Sequence, residues 1–333
     1  MLPAIFGLSG ETLSADERAF FGDADPAGYI LFARNCRDRA QVRALTDSLR
    51  ALSGRDDLPI LIDQEGGRVA RLAPPAWPPF PAAWRFAELY EVAPISAIEA
   101  ARVNAQAIAL TLDEIGINVD CLPLLDVRRE GAHDVIGDRA LGGEPMRVAA
   151  LGRAVLEGLE AGGCIGVVKH MPGHGRAGAD SHKQLPVVEA SEDGLADDLA
   201  PFLALRNAPM AMTAHVLYPA WDAECCATLS PTIIDKVIRG RIGFDGFLMS
   251  DDIAMAALAG PLAARAEAAI AAGCDVVLHC SGILAESREI AAALPAIGDK
   301  ARARLGRAMA RIGTKSGSYE ALAGKRDVLL AQA

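Results

Sequence analysis

The sequence predicts a (β/α)8 barrel, and three observations carry that prediction. Eight short apolar runs recur along the 333 residues. Helical stretches that end at glycine separate them, and the runs finish in polar or charged residues. The runs lie near 4–8, 28–33, 59–63, 117–126, 166–170, 209–215, 246–251 and 275–280. They are nearly continuous hydrophobics, the pattern of parallel strands buried on both faces.

The repeating unit shows in Glu114-Ile115-Gly116-Ile117-Asn118-Val119-Asp120 and in Gly163-Cys164-Ile165-Gly166-Val167-Val168-Lys169-His170. It returns in Gly273-Cys274-Asp275-Val276-Val277-Leu278-His279. Glycine just past a helix permits the left-handed turn that redirects the chain. Between the third and fourth runs, Ile98, Ala101, Ala105, Ile108, Leu112 and Ile115 form one apolar helical face, and Ser96 with Glu99 has capping-box spacing. Before the fifth, a helix opens with Pro145, carries Val148, Leu151, Val155 and Leu159, and stops at Gly162-Gly163. The stretch Pro74-Pro75-Ala76-Trp77-Pro78-Pro79-Phe80-Pro81 is a loop after the third strand. A doubly wound sheet is the competing architecture, but no glycine-rich phosphate fingerprint follows the first strand. With no linker or composition break, residues 1–333 read as one catalytic barrel domain, with 300–333 a helical C-terminal extension.

Composition bounds the function. Hydrophobic residues make up 51% and charged residues 23%, enough for a large core and too apolar for a disordered chain. Against 43 acidic residues stand 33 Lys and Arg, a net charge of −10, which argues against a nucleic-acid coat or a basic membrane-surface patch. No apolar run reaches the ~18 uninterrupted residues of a membrane span. The first residues, Met1-Leu2-Pro3-Ala4-Ile5-Phe6-Gly7, lack a basic n-region and a long apolar h-region, so a cytoplasmic location is expected. The seven cysteines, at 36, 121, 164, 225, 226, 274 and 280, are odd in number and form no CxxC pair, which reads as buried, reduced thiols rather than disulfides or a zinc site.

Barrel enzymes work at the C-terminal ends of their strands. Here the third strand ends in Asp63-Gln64-Glu65-Gly66-Gly67-Arg68 with Arg71 nearby, and the fourth reaches Asp126. The fifth ends in Lys169-His170-Met171-Pro172-Gly173-His174-Gly175 and its loop continues to Asp180-Ser181-His182, the sixth ends in Thr213-Ala214-His215, and the seventh in Ser250-Asp251-Asp252. So many ionisable groups on one rim indicate a site. Lys169 is the first of only six lysines, so in an arginine-rich chain its place at a strand end suggests a need for a compact ammonium. A zinc site of the helical HExxH type is excluded because Pro172 and its neighbouring glycines forbid a helix, so no metal and no cofactor are expected. In an extended loop Asp180 and His182 would project to one side, letting the carboxylate orient the imidazole. Asp251 and Asp252 would point to opposite sides of their strand, and alternation does not say which faces inward. From these residues alone several readings stay open: a metal-dependent barrel enzyme, one forming a Schiff base on Lys169, one using an aspartate as nucleophile, and a barrel that binds its ligand without turning it over.

Gly28-Tyr29-Ile30-Leu31-Phe32-Ala33-Arg34-Asn35, Ile62-Asp63-Gln64-Glu65-Gly66-Gly67-Arg68-Val69, Lys169-His170-Met171-Pro172-Gly173-His174-Gly175 with Asp180-Ser181-His182, and Ser250-Asp251-Asp252-Ile253-Ala254-Met255 occur in that order. Together they resemble the bacterial single-domain β-N-acetylhexosaminidases of glycoside hydrolase family 3. The resemblance implies a retaining glycosidase that removes terminal β-linked N-acetylglucosamine. It implies Asp251 as nucleophile, His182 as general acid/base with Asp180 as its dyad partner, and Asp63, Arg71, Arg139, Lys169 and His170 as sugar-binding residues. It implies a small carbohydrate partner, N-acetylglucosaminyl-anhydromuramyl peptides of cell-wall recycling, with no nucleic acid and no membrane insertion. Met171 stands where phenylalanine is usual. Larger relatives with β-glucosidase activity take their acid/base from a second domain, for which this chain has no room.

The residues suit that chemistry. Retention needs one group to attack the anomeric carbon and another to protonate the departing oxygen. Histidine, with an ordinary pKa of about 6.5, needs little tuning to act at neutral pH. A neutral imidazole base also repels an anionic acceptor less than a carboxylate would, so phosphate is expected to compete with water. The glycines at 173, 175 and 178 predict a loop that opens without sugar and closes over it.

Overall fold

A computed structural model describes residues 1–313 and 315–332 of the chain. Its strands, in chain order, are β1 (Leu2–Gly7), β2 (Pro26–Leu31), β3 (Ile60–Ile62), β4 (Gln64–Gly66), β5 (Val69–Ala70), β6 (Val119–Asp120), β7 (Ile165–Met171), β8 (Met210–Thr213), β9 (Phe247–Asp252) and β10 (Val276–His279). All but β4 and β5 close into one barrel in which each strand runs parallel to its neighbours and β10 pairs with β1. These eight are the eight runs of the sequence in the same order. β4 and β5 form a small antiparallel hairpin in the loop after β3. The fourth run contracts most, from 117–126 to two residues, because Pro123 has no N–H to donate to the ladder. Beyond β6 the segment stays against β7, with Leu125 N donating to Lys169 O at 2.7 Å and Lys169 N to Pro123 O at 3.1 Å.

The helices are α1 (Ala15–Ala24), α2 (Arg39–Ser53), α3 (Trp84–Val92), α4 (Pro94–Glu114), α5 (Pro145–Ala161), α6 (Ala196–Ala204), α7 (Leu262–Ala272), α8 (Leu284–Ala293), α9 (Asp299–Met309) and α10 (Tyr319–Leu330). A π-helical segment, Ile233–Arg241, lies between β8 and β9. α5 begins at Pro145 and ends at Gly162 as its sequence predicts. α4 corrects the expected cap at Ser96: the helix starts two residues earlier, at Pro94, whose fixed φ suits a first helical position. Glu99 instead pairs with Arg102 and Lys325. α4 is buried around most of its girth, including Ala97, Ala100 and Asn104, because other helices cover it as well as the barrel.

Inside the barrel, Ile5, Ile30, Leu61, Val119, Ile165, Val167, Met210, Met212, Phe247, Met249, Val276 and Leu278 pack as one cluster. Leu305, Ala308 and Met309 of α9 join it and close the end of the barrel away from the strand C-termini. Burying Leu305 and Met309 there contributes roughly 1.5–3 kcal/mol each. Of the stretch 300–333, Thr314 and Ala333 lie outside the described residues. All seven cysteines are free; Cys121, Cys164, Cys226 and Cys274 are buried, and Cys36, Cys225 and Cys280 are partly buried.

Candidate active site

The strand ends open into a cavity of about 350 Å³. That volume lies near the lower end of the roughly 300–1,000 Å³ typical of small-molecule sites. Asp63, Arg71, Arg139, Lys169, His170, Asp180, His182 and Asp251 all line it, so the eight residues singled out in the sequence share one space.

One wall is an ion-pair cluster. The Lys169 ammonium lies 3.1 Å from Asp63 and 2.7 Å from Glu65. Asp63 also accepts from Arg71 at 3.0 Å. Glu65 takes both arms of Arg139 at 2.8 Å, the forked geometry that guanidinium and carboxylate favour. Burial opposes the charge on Asp63, but Lys169 and Arg71 outweigh it and hold its carboxyl well below the usual carboxylate range. Glu65 is held low in the same way by Lys169 and Arg139. Burial works against the Lys169 ammonium, and Glu65 and Asp63 overcome it and push its pKa up. A Schiff base needs a free neutral amine, so the Lys169 aldolase-like reading does not fit. Glu65 was not singled out as a site residue; two carboxylates were needed to hold a buried lysine, and that need was the available signal.

β7 supplies the next wall. His170 Nδ1 donates to Asp126 at 2.7 Å, and the other oxygen of Asp126 accepts from the backbone of His174 at 2.6 Å. This fixes the ring so that Nε2 is the nitrogen left for the cavity. His174 is buried, which lowers its pKa to about 4 and keeps it neutral. Its Nε2 lies 3.3 Å from Ser181 Oγ, in the middle of the loop that carries Asp180 and His182.

That loop is not extended, as the sequence suggested. Asp180 heads a turn in which its carboxylate accepts from His182 N at 3.0 Å and from His182 Nδ1 at 2.9 Å. An aspartate turning back onto the amide two residues on is a common local device, and here it brings the ring along. Burial opposes its charge, but the hydrogen bonds from His182, with the charges of His182 and Lys183, outweigh it and keep the Asp180 carboxyl below its ordinary range. The His182 side chain is 65% exposed at the mouth.

β9 brings in the adjacent carboxylates, and both line the cavity. Strict alternation fails because the β9–β10 register shifts between Val276 and Leu278, whose partners are Met249 and Asp252. Such a bulge re-aims the residues beyond it. The two environments differ. Asp252 turns back to accept from the amides of Ala254 (3.0 Å) and Cys280 (3.2 Å). Burial, together with the neighbouring Asp251, pushes its carboxyl up. Asp251 accepts only from the Asp252 amide, at 2.8 Å, and among the described residues its other oxygen has no hydrogen-bond donor. Burial would raise Asp251, but His215, His170, the Asp252 amide and Lys169 hold it below the usual range. Two carboxyls whose pKa values are driven apart take different roles, and Asp251 is the ionised one with a free oxygen. The cations that could have neutralised it are engaged elsewhere: Arg68 with Asp138 and Arg139 with Glu65.

Among aromatics, Tyr218 is 1% exposed, donating to Gly173 O at 2.6 Å, and Trp77 is 4% exposed, so both are packing groups. No group of three or more His, Cys, Asp or Glu among the described residues is arranged to hold a metal ion. Nor is any described helix long and apolar enough to cross a membrane.

An ionised carboxylate and an Asp–His pair at the mouth of a (β/α)8 barrel, beside a polar ion-pair wall, suit a carbohydrate-cleaving barrel of the glycosidase class. Comparison with known proteins narrows the class. Residues 8–314 match the family described as glycosyl hydrolase family 3 N terminal domain. A protein named beta-hexosaminidase from Bordetella avium is 38% identical over 284 residues, covering 84% of this chain and 80% of the relative. One of the same name from Alkalilimnicola ehrlichii is 41% identical over 284 residues, with the same coverage. The structure of NagZ from Neisseria gonorrhoeae in complex with N-trifluoroacetyl-D-glucosamine superposes with a TM-score of 0.87 at 30% identity, over 99% of this chain and 97% of that one. The chain belongs to glycosyl hydrolase family 3.

Proposed function

We propose that this protein is a retaining β-N-acetylhexosaminidase that removes terminal β-linked N-acetylglucosamine from peptidoglycan-derived fragments in the cytoplasm, as a single catalytic domain. The observation that carries the mechanism is the placement of Asp251 and the Asp180–His182 pair on one cavity. Asp251 attacks the anomeric carbon as the bond to the leaving oxygen breaks, and His182 delivers a proton to that oxygen. Water then attacks the glycosyl ester, giving its proton to the now neutral imidazole and releasing the Asp251 carboxylate. Asp180 holds His182 Nδ1–H and stabilises the imidazolium, leaving Nε2 to exchange the proton. Asp63 and Arg71 offer acceptors and donors to sugar hydroxyls. Lys169, with two of its three N–H groups held by carboxylates, keeps one for the sugar. His170 Nε2, the ring nitrogen that Asp126 leaves free, faces a further hydroxyl.

Support for the substrate class comes from the relatives named beta-hexosaminidase and from the glucosamine derivative in the Neisseria gonorrhoeae NagZ complex. Seven free thiols agree with a reducing compartment. The test is turnover of a chromogenic N-acetyl-β-glucosaminide by wild type and Asp251→Ala. The expected result is a loss of about four orders of magnitude in kcat with the fold retained. A fully active variant, or an inactive wild type, rejects the proposal.

A further inference from the structure

α10 lies beyond residue 314, where the family match ends, yet its contacts lead to the ion-pair wall of the cavity. Arg326, one residue from the exposed Asp327, is itself only 6% exposed. Its Nη1 donates to Asn104 of α4 at 3.2 Å, and its guanidinium lies 6.0 Å from the centroid of the Phe80 ring. Tyr319, at the other end of α10, meets the same ring edge-on at 6.2 Å. Phe80 thereby meets one helix at two residues, and it is 5% exposed.

Phe80 in turn holds the β4–β5 hairpin. Its carbonyl accepts from Gly67 N at 2.9 Å. The turn presses so close that a Cβ on Gly66 would lie 2.3 Å from Pro81 O, and one on Gly67 2.6 Å from Ala82 Cβ. Both glycines also have positive φ, at 91° and 57°, so the tight seat and the left-handed turn coincide. The hairpin carries Glu65, which grips Lys169 and Arg139. Gln64 Oε1 accepts from the amides of Arg71 and Leu72, each at 2.9 Å, which sets where the Arg71 side chain starts.

We propose that Arg326 is a positioning residue for sugar binding: through Phe80, α10 fixes the hairpin that places Glu65 and Arg71 around Lys169 and Asp63. The inference rests on the reading of Asp63, Arg71 and Lys169 as sugar ligands. Arg326 touches neither substrate nor reacting atoms, so its loss acts on ground-state grip more than on the chemical step. A cation–π contact of this kind carries about a fivefold change in an equilibrium constant.

The test uses the full chain with Arg326→Ala, Arg326→Lys, Phe80→Leu and, as control, Lys325→Ala, which loosens α10 from Glu99 without touching Phe80. Two readouts are taken: hydrogen exchange of the amides of 64–71, and KM, kcat and inhibition by free N-acetylglucosamine. Exchange at Gly67 should quicken by about tenfold in Arg326→Ala and Phe80→Leu. KM and the inhibition constant should rise about fivefold with kcat within a factor of about two. Arg326→Lys should restore most of the loss, and Lys325→Ala should change none of these. Unchanged exchange in both Arg326→Ala and Phe80→Leu overturns the inference, as does an equal effect from Lys325→Ala. Exchange requires no turnover, so an enzyme inactive on N-acetylglucosaminides would reject the proposed function and still leave this relay to be judged.

Discussion

Replacing Lys169 with methionine tests the ion-pair wall most directly. The substitution keeps an unbranched side chain out to the ε position and removes the ammonium, leaving Asp63 and Glu65 facing each other with Arg71 and Arg139 as their remaining cations. The Lys169 and Glu65 side chains are 2% and 3% exposed and that of Asp63 is 15% exposed, so water replaces the lost charge only in part. Breaking a buried pair by removing one partner destabilises by about 3–5 kcal/mol. The two arginines place this case at the low end, about 3 kcal/mol, or about 6 °C in Tm at ~2 °C per kcal/mol for a chain of this size. The pH dependence gives the stricter test. In the wild type both carboxyls ionise below their unfolded values near 4, so their pairing stabilises the fold above that pH and fades as pH falls through the folded values. In Lys169→Met burial is less opposed, the folded values rise, and protonation relieves the variant. Thermal melts should therefore show the largest gap between wild type and variant at about pH 7 and a narrower one at about pH 4. A gap that is constant or widens toward acid refutes this account of the cluster.

Two further substitutions separate loop chemistry from loop architecture. His182→Ala should lower kcat roughly 100- to 10,000-fold with Tm unchanged, because the ring is largely exposed. The loss should be smallest for substrates whose leaving group departs without a proton, and equal losses for good and poor leaving groups would remove His182 as the acid. Gly175→Ala should destabilise by about 3 kcal/mol, because its Cβ would sit 2.0 Å from the Val127 carbonyl oxygen. A melt indistinguishable from wild type would mean that the loop base yields where the geometry says it cannot.

The barrel was legible because its strands carry their burial in composition: an apolar run such as Leu2–Gly7 is buried at every position and needs no partner to be recognised. Strand ends were blurred where one residue decides the hydrogen bonding, as at Pro123. The hairpin at 64–70 was invisible because its strands are two and three residues long, stabilised by Gln64 and by the seat on Phe80 and Pro81 rather than by their own pattern. The inward turn of both Asp251 and Asp252 depends on a register shift with β10, a long-range relation that one strand does not encode. The Asp180–His182 pairing was anticipated from spacing, but by an extended chain where a turn does the work. Glu65 lay in plain view within the third strand's terminal motif; what hid it was the missing knowledge that Lys169 and Arg139 converge on it.

The plug that α9 sets into the barrel floor has a consequence for traffic. With Leu305, Ala308 and Met309 filling the far end, the described residues leave no way through the barrel, and whatever goes in first comes out last. Under the proposed function, the departing half of a cleaved glycoside, nearest the opening, would clear the way for water while the inner sugar stayed seated against Lys169. Free sugar should therefore behave as a competitor for the empty enzyme, and its exit, rather than bond cleavage, can set the pace for substrates with easily displaced leaving groups.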